Sequence, residues 1–415
     1  MSALDEHGRG GLFERPLVPL RAAQVAKPCT IPSMRLGIDI TPLQIASSGG
    51  IGAATYHMIR ALAQQPGLEI VLYGRSSPVV PFSDKPLDLD LQVRIGDGLM
   101  SRAGNILWLQ YGIGPTLARD GIDVFWGTRQ VLPTNAKSVA LVATLYDYWH
   151  ARYPEQQPIA NRTMNRIVMS GLARYGDVLT AISDATADDA RSLYPQSAPR
   201  VRTVHLGVDP AEYAPADESE VARVLGFMGV KGPFVLALDV HNARKNFSVI
   251  LEAVAQMSDS LGPFEIVAVG KTRATARDSG IQEHAERLGL SSRVHFVGDV
   301  PQADLLALYT GCAAFVYPSV YEGFGMPVLE AMACGAPVIC ANTSSLPEVA
   351  GDAALTIDPT SPEQLSAALT RVMGNPAEAQ RLRELGRARA GEFTWGSTAE
   401  GMLKAFEDAL AGRRG

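Results

Sequence analysis

The sequence predicts an α/β protein built from two doubly wound parallel-sheet units in series. Three observations predict it. Short apolar runs alternate with helical segments from Met34 onward, a break without apolar periodicity spans Asp209 to Glu220, and the alternation restarts at Phe234. Strands covered on both faces read as continuous apolar runs, and such runs separated by helices make a parallel sheet.

Taken in order, Met34 to Ile40 is the first strand. Gly49-Gly50-Ile51-Gly52 follows as a glycine loop opening the helical stretch Ala53 to Leu62. Leu68 to Tyr73 and Val139 to Thr144 read as further buried strands. Val178 to Ile182, a helix through Asp189, and Val201 to His205 continue the pattern. Pro210 and Pro215, set among acidic residues, suit an interdomain linker. Beyond it the strands are Phe234 to Leu238, Phe264 to Val269, Val294 to Val297, Ala314 to Tyr317 and Val338 to Ala341. The helices between them are Phe247 to Met257, Gln282 to Leu288, Asp304 to Tyr309 and Val328 to Met332. No repeat at solenoid periods is present.

At 415 residues, 47% apolar and 19% charged, the chain has the material for two buried cores. A net charge of −6 without long runs of like charge argues against a general nucleic-acid binder and makes any anion site local. The four cysteines (Cys29, Cys312, Cys334, Cys340) are too irregularly spaced for a disulfide framework or a metal pair, which fits a reducing, cytoplasmic setting. No apolar run approaches the ~18 residues that cross a bilayer. Arg21 interrupts the best early apolar patch, Leu17 to Ala26, so residues 1–33 read as a poorly ordered extension rather than a secretory signal.

In doubly wound sheets, ligands bind beyond the carboxyl ends of the strands. Three candidate stretches sit there. Gly49, Gly50 and Gly52 would let backbone amides approach an anion at a helix start, although the same glycines also serve a plain tight turn. They do not make a dinucleotide fingerprint: Thr55 stands at the third glycine position, and Gly74-Arg75 replaces the acid that would hold a ribose. The second stretch, His241 to Asn246, sets Arg244 beside Lys245 before a helix, where two cations can neutralise a diphosphate or simply form a basic turn.

The third, PSVYEGFGMPVLE from Pro318 to Glu330, carries the most information. A strand feeds a glycine-bracketed loop, Pro327 suits the first turn of the next helix, and Glu322 and Glu330 flank the loop. Two carboxylates so placed can accept hydrogen bonds from hydroxyls at two points on one elongated ligand, with backbone amides facing a phosphate between them.

With its Glu322/Glu330 spacing, this stretch resembles the retaining glycosyltransferases of family 4. So do Ser344 to Val349, Phe393-Thr394-Trp395, Gly50-Ile51-Gly52, Arg244-Lys245-Asn246 and Ala181-Ile182-Ser183. The resemblance runs from about Met34 to near Ala411 and is densest from Phe234 onward, above all over Val294 to Pro359. It implies the GT-B fold, two Rossmann-like domains facing across a cleft. Residues 34–212 would form the acceptor-side domain, 213–395 the donor domain, and 396–415 a helix crossing back to the first. It also implies transfer of a hexose from a nucleoside diphosphate, with retained anomeric configuration and without an essential metal or other cofactor.

By the same resemblance, Glu330 holds the donor ribose, Glu322 the transferred sugar and Lys245 the diphosphate. Backbone amides of Gly50, Gly52, Phe324 and Gly325 line phosphates and sugar. Gly323 and Met326 belong to the same donor loop, Arg244 to the donor site, and Val300 to the start of the base pocket. Asp147 orients a donor or acceptor hydroxyl. Two departures from the family pattern stand out. Asp239-Val240 occupies the positions of a usual Gly-Arg, and Tyr146-Asp147 those of a usual His-Asp.

Segments Phe125 to Pro133 and Ala143 to Pro154 look most like mannosyl-transferring members, which makes GDP-mannose the first donor and a polysaccharide or lipid-linked glycan the acceptor. A lipid-linked acceptor implies peripheral contact with the inner face of a membrane, for which Asn161 to Arg174 is the basic-apolar helix available. Competing readings are a GT-B binding protein that has lost turnover, or a phosphorylase or epimerase on the same scaffold. Asp88-Leu89-Asp90 reads as surface loop, Cys334 and Cys340 as core thiols flanking a strand, and His295 as a packed strand residue. Trp395 reads as the anchor of the crossover helix.

Overall fold

The computed structural model describes residues 33–44, 49–76, 91–96, 104–156, 159–257, 261, 263–270 and 280–414. The expected N-terminal extension before Ser33 and the Asp88-Leu89-Asp90 stretch lie outside the described residues.

Two parallel sheets form. The first contains β1 (Met34–Asp39), β2 (Leu68–Gly74), β3 (Gln92–Ile95), β4 (Val124–Gly127), β5 (Ala140–Leu145), β6 (Val178–Ala181) and β7 (Val201–Thr203), in the order β3-β2-β1-β4-β5-β6-β7. The second contains β8 (Phe234–Leu238), β9 (Glu265–Val269), β10 (Val294–Gly298), β11 (Ala314–Tyr317), β12 (Val338–Ala341) and β13 (Ala354–Ile357), in the order β10-β9-β8-β11-β12-β13. Each order reverses direction beside its first strand, and that switch point opens a crevice at the carboxyl ends of β1 and β4 in one sheet and of β8 and β11 in the other.

Register follows burial. β1 pairs residue for residue with β2 from Met34↔Leu68 to Asp39↔Tyr73. Leu36, Ile38, Val124, Trp126 and Val142 are fully buried on one face. Phe125, Leu141 and Ala143 fill the opposite face. In the second sheet, β8 aligns from Phe234↔Glu265 to Leu238↔Val269.

Three strands are absent from the reading of the sequence. Val124–Gly127 and Ala354–Ile357 have only four residues each, and Gln92–Ile95 is an exposed edge strand with no buried side chain. Short or two-faced polar strands leave little periodicity to find. Gly50 and Gly52, expected in a loop, lie instead in the first turn of the helix Gly49–Ala63. Cys340 sits inside β12 rather than beside it. Burial pushes the Cys312, Cys334 and Cys340 thiols up to about 12, which keeps them as inert core groups.

The final helix, Trp395–Arg414, packs on the first sheet and on the helix Gly49–Ala63. The Trp395 indole stacks on His57 with centroids 5.0 Å apart, and Phe406 lies 6.4 Å from Trp126 of β4. Its apolar face therefore completes the core of the first unit although it follows the second in sequence. Among the described residues, no helix is long and apolar enough to cross a membrane.

Candidate functional site

The loops after β8 and β11 bring the expected donor residues together. After β8 the chain turns through Asp239, which adopts φ 53° with its carboxylate held by the Asn242 amide at 3.0 Å. A single helical turn, Ala243–Lys245, follows. Its cap is the Asn242 side chain, which accepts from the Arg244 N–H. After β11 the chain runs through Ser319 to Gly325, which begins the helix Met326–Ala333 at φ 106°, with Pro327 in its first turn.

Between these loops lies a cavity of about 690 Å³. Asp239, His241, Lys245, Asp299, Val300 and Tyr317 line it, together with Pro327. Lys245 is only 8% exposed. Its Nζ lies 2.5 Å from Glu322 Oε1 and also donates to the Tyr317 hydroxyl. Ser319 Oγ donates to the same Glu322 oxygen at 2.6 Å, and Arg244 reaches the other at 3.7 Å. Burial on its own would raise the Glu322 pKa, but Lys245, Arg244 and the hydrogen bonds hold the carboxyl below its ordinary value. Lys245 thus lines a cavity large enough for a nucleotide, and Glu322, which does not itself line it, is buried behind as the paired carboxylate.

Arg244 does not line this cavity. It reaches across to the first unit, 3.4 Å from Asp147 Oδ2, with its guanidinium 5.7 Å above the Trp149 ring. Burial would lower its pKa; Glu322 and Asp147 more than compensate and raise it. Arg244 therefore joins the two halves of the site. Tyr146, standing for the usual histidine, is buried at 8% exposure. His150 lines a second cavity, in the first unit, instead of replacing it.

Glu330 does not line the 690 Å³ cavity either. It sits one helical turn beyond Pro327, and its carboxylate accepts from the Tyr309 hydroxyl at 3.3 Å and from Tyr213 in the linker. Burial raises its pKa to about 7, although both tyrosines and His57 oppose the rise. Nothing in the sequence drew attention to Tyr213, because a linker tyrosine has no periodic signal.

The remaining loop residues fasten the two units together. Gly323 O accepts from Ser183 Oγ at 2.7 Å and from Thr186 Oγ1 at 3.1 Å. A Cβ at Gly323 would stand 1.8 Å from Tyr146 O, so only glycine allows this approach. Tyr321 donates to Asp189 Oδ2 at 2.6 Å and accepts from the Tyr148 N–H at 2.9 Å. Glu348 accepts from the Asp184 N–H at 2.8 Å, capping the helix Asp184–Leu193 from the other unit. Phe324 is buried between His205 and Phe393, and Met326 is half-buried. Gly50 is exposed and, like Gly52, does not line the 690 Å³ cavity.

Residues 228–389 match the family of group 1 glycosyl transferases, and residues 48–212 match glycosyltransferase family 4. The O-antigen chain mannosyltransferase B of Escherichia coli is 30% identical over 269 residues, 64% of this chain and 70% of that protein. The MMP alpha-(1->4)-mannosyltransferase of Mycolicibacterium hassiacum is 29% identical over 62% of this chain and 60% of its own length. Among solved structures, Anabaena Alr3699/HepE in complex with UDP-glucose superposes with a TM-score of 0.69 at 18% identity, covering 90% of this chain and 99% of that one. Two facing parallel-sheet units, a buried Lys–Glu pair beside a nucleotide-sized cavity, and these matches over both units lead to one conclusion: the chain belongs to the group 1 (family 4) glycosyltransferases of GT-B architecture.

Proposed function

We propose that the enzyme moves a hexose, with mannose from GDP-mannose as the first donor, onto a polysaccharide or lipid-linked glycan with retained anomeric configuration. The observation that carries this reading is the buried Lys245–Glu322 pair at the edge of the cavity between the β8 and β11 loops. Lys245 would neutralise the diphosphate as negative charge grows there during glycosidic cleavage, together with backbone amides of the Gly323 to Met326 loop. Glu322 would accept hydrogen bonds from hydroxyls of the transferred sugar, and Glu330 from the ribose once Tyr213 yields its place. Val300 would border the base.

Asp147, linked to Arg244, would orient the hydroxyl that attacks, while the departing phosphate oxygen accepts the proton released. No metal is required in this scheme, because a protein cation and amides disperse the leaving-group charge. The mannosyl donor rests on relatives whose names are mannosyltransferases, one of them of an O-antigen chain, and a lipid-linked acceptor would place the work at the inner face of a membrane.

Thermal shift and sugar-nucleotide hydrolysis with GDP-, UDP-, ADP- and dTDP-sugars, without added metal, test the reading. Stabilisation by GDP and slow release of α-mannose from GDP-mannose are the expected results. Preference for another nucleotide overturns the donor. Release of the β anomer overturns retention, and binding without any turnover, acceptors included, overturns the enzyme reading.

A further inference from the structure

A second cavity, of about 570 Å³, opens at the carboxyl ends of the first sheet. Thr41 follows β1, Arg75 follows β2, Arg129 follows β4 and His150 follows β5, and all four line it. One wall is the segment from Gly104 to Leu107; another is the helix Ile159–Tyr175. It adjoins the reaction centre, because Gln130, also in its lining, donates to Asp147 O at 3.4 Å.

Its chemistry is one-sided. Two arginines line it, and no carboxylate does among the described residues. Arg75 spends one Nη on Asn105 Oδ1 at 2.7 Å, while its Nε is buried and finds no partner among the described residues. Arg129 is exposed and forms no ion pair with a described residue; the described groups it acts on electrostatically are the buried Asp39 and Tyr146. The His150 Nε2 is likewise buried without a partner. Burial holds that imidazole below its ordinary pKa while nearby Asp147 pulls the other way, so at neutral pH it offers a hydrogen bond rather than a charge. Desolvated, unpartnered donors beside two guanidiniums make an anion site, and guanidinium forks match phosphate oxygens in particular.

The rim is apolar. Ile106 and Leu107 line the cavity while remaining 41% and 43% exposed. Met169 and the half-buried Val168 continue the apolar wall from the helix Ile159–Tyr175. Large apolar side chains left in water around the mouth of an anion site call for a ligand that is charged at one end and hydrocarbon at the other.

Building on the transferase reading, we propose that this cavity receives an acceptor whose reacting saccharide is joined through a phosphate to a hydrocarbon chain. The saccharide lies toward Asp147, the phosphate between Arg75 and Arg129, and the start of the chain along Ile106, Leu107 and Met169. An acceptor held this way presents its hydroxyl across the cleft from the donor cavity. Transfer then occurs only to sugars already carried on a lipid phosphate.

The test measures binding to the full chain by calorimetry, using decyl phosphate below its micelle concentration. Decyl maltoside and inorganic phosphate serve as the neutral and chain-free controls. Decyl phosphate is expected to bind at least tenfold tighter than either. Arg129→Gln, an exposed position, should weaken it about tenfold without weakening decyl maltoside, and Leu107→Glu, also exposed, should weaken it by a similar factor. Equal binding of decyl maltoside, equal binding of inorganic phosphate, or an unchanged Arg129→Gln overturns the proposal. Donor hydrolysis by the wild-type chain is read separately. A chain that hydrolyses a sugar nucleotide yet shows no preference for decyl phosphate loses this inference alone. A chain that prefers decyl phosphate but cleaves no sugar nucleotide loses the transferase reading and keeps a lipid-phosphate site.

Discussion

Gly323→Ala isolates domain closure from folding and from donor binding. Gly323 does not need a left-handed backbone, so alanine introduces no conformational strain of its own. The obstacle lies in the other unit: the new Cβ would stand 1.8 Å from Tyr146 O and 3.1 Å from Asp147 Cβ. A relaxed carbon–oxygen contact is about 3.3 Å, so the two faces must part locally by about 1.5 Å. That movement stretches the Ser183 and Thr186 hydrogen bonds to Gly323 O, now 2.7 and 3.1 Å, beyond bonding range, and strains the Arg244–Asp147 contact at 3.4 Å. At about 1 kcal/mol for each contact, the closed form loses about 2–3 kcal/mol. The ratio of closed to open form then falls about 30- to 160-fold, and kcat falls with the closed population if closure assembles the site. The 690 Å³ cavity is lined entirely by the second unit, so nucleotide affinity should change less than about threefold by the same reckoning. Steady-state kinetics with the cognate sugar nucleotide, together with nucleotide calorimetry and a melting curve, separate the three quantities. A kcat within threefold of wild type in a normally folded variant would refute the claim that this closed contact lies on the reaction path.

Four further outcomes are expected, at three positions. With Glu330 at about 7, and only its ionised form accepting both ribose hydroxyls, nucleotide affinity should rise about tenfold from pH 6 to pH 8, and Glu330→Gln should flatten that profile. The sign for stability is opposite: a carboxyl raised from 4.5 to about 7 contributes stability below pH 4.5 that is lost as pH rises through 7, so Glu330→Gln should also remove this slope from urea titrations. Lys245→Met leaves Glu322 buried with Arg244 3.7 Å away, and should cost about 3–5 kcal/mol in denaturant unfolding. Adding Glu322→Gln should recover most of that loss, and failure to recover would mean that the pair is not coupled. Tyr321→Phe removes the hydroxyl that bridges Asp189 and the Tyr148 N–H, and should cost about 1–3 kcal/mol of closure, read as lower kcat at unchanged nucleotide affinity.

Much of this protein is local and therefore readable along the chain. The buried strands Met34–Asp39, Ala314–Tyr317 and Val338–Ala341 are continuous apolar runs, and Pro327 and Gly325 mark a helix start wherever they occur. The alternation of such runs is enough to imply two parallel sheets, and the loops after their strands are enough to point to Lys245 and Glu322, whereas Val300 comes from the family resemblance alone. Contacts between distant segments left no such trace. Glu322 is tied to Lys245 across 77 residues and Tyr321 to Asp189 across 132, and neither pairing has a period or a spacing. Arg244 read as a second diphosphate cation, yet the facing unit draws it to Asp147. Tyr213 meets Glu330 only because the linker folds back over the helix Met326–Ala333. The arginine-lined cavity likewise collects Arg75, Arg129 and His150 from the ends of three different strands. Sequence determined the elements, because apolar periodicity and turn chemistry act within a few residues. Tertiary structure alone decided the partners, because a buried charge selects whichever opposite charge or hydroxyl the packing of two domains brings within about 3 Å.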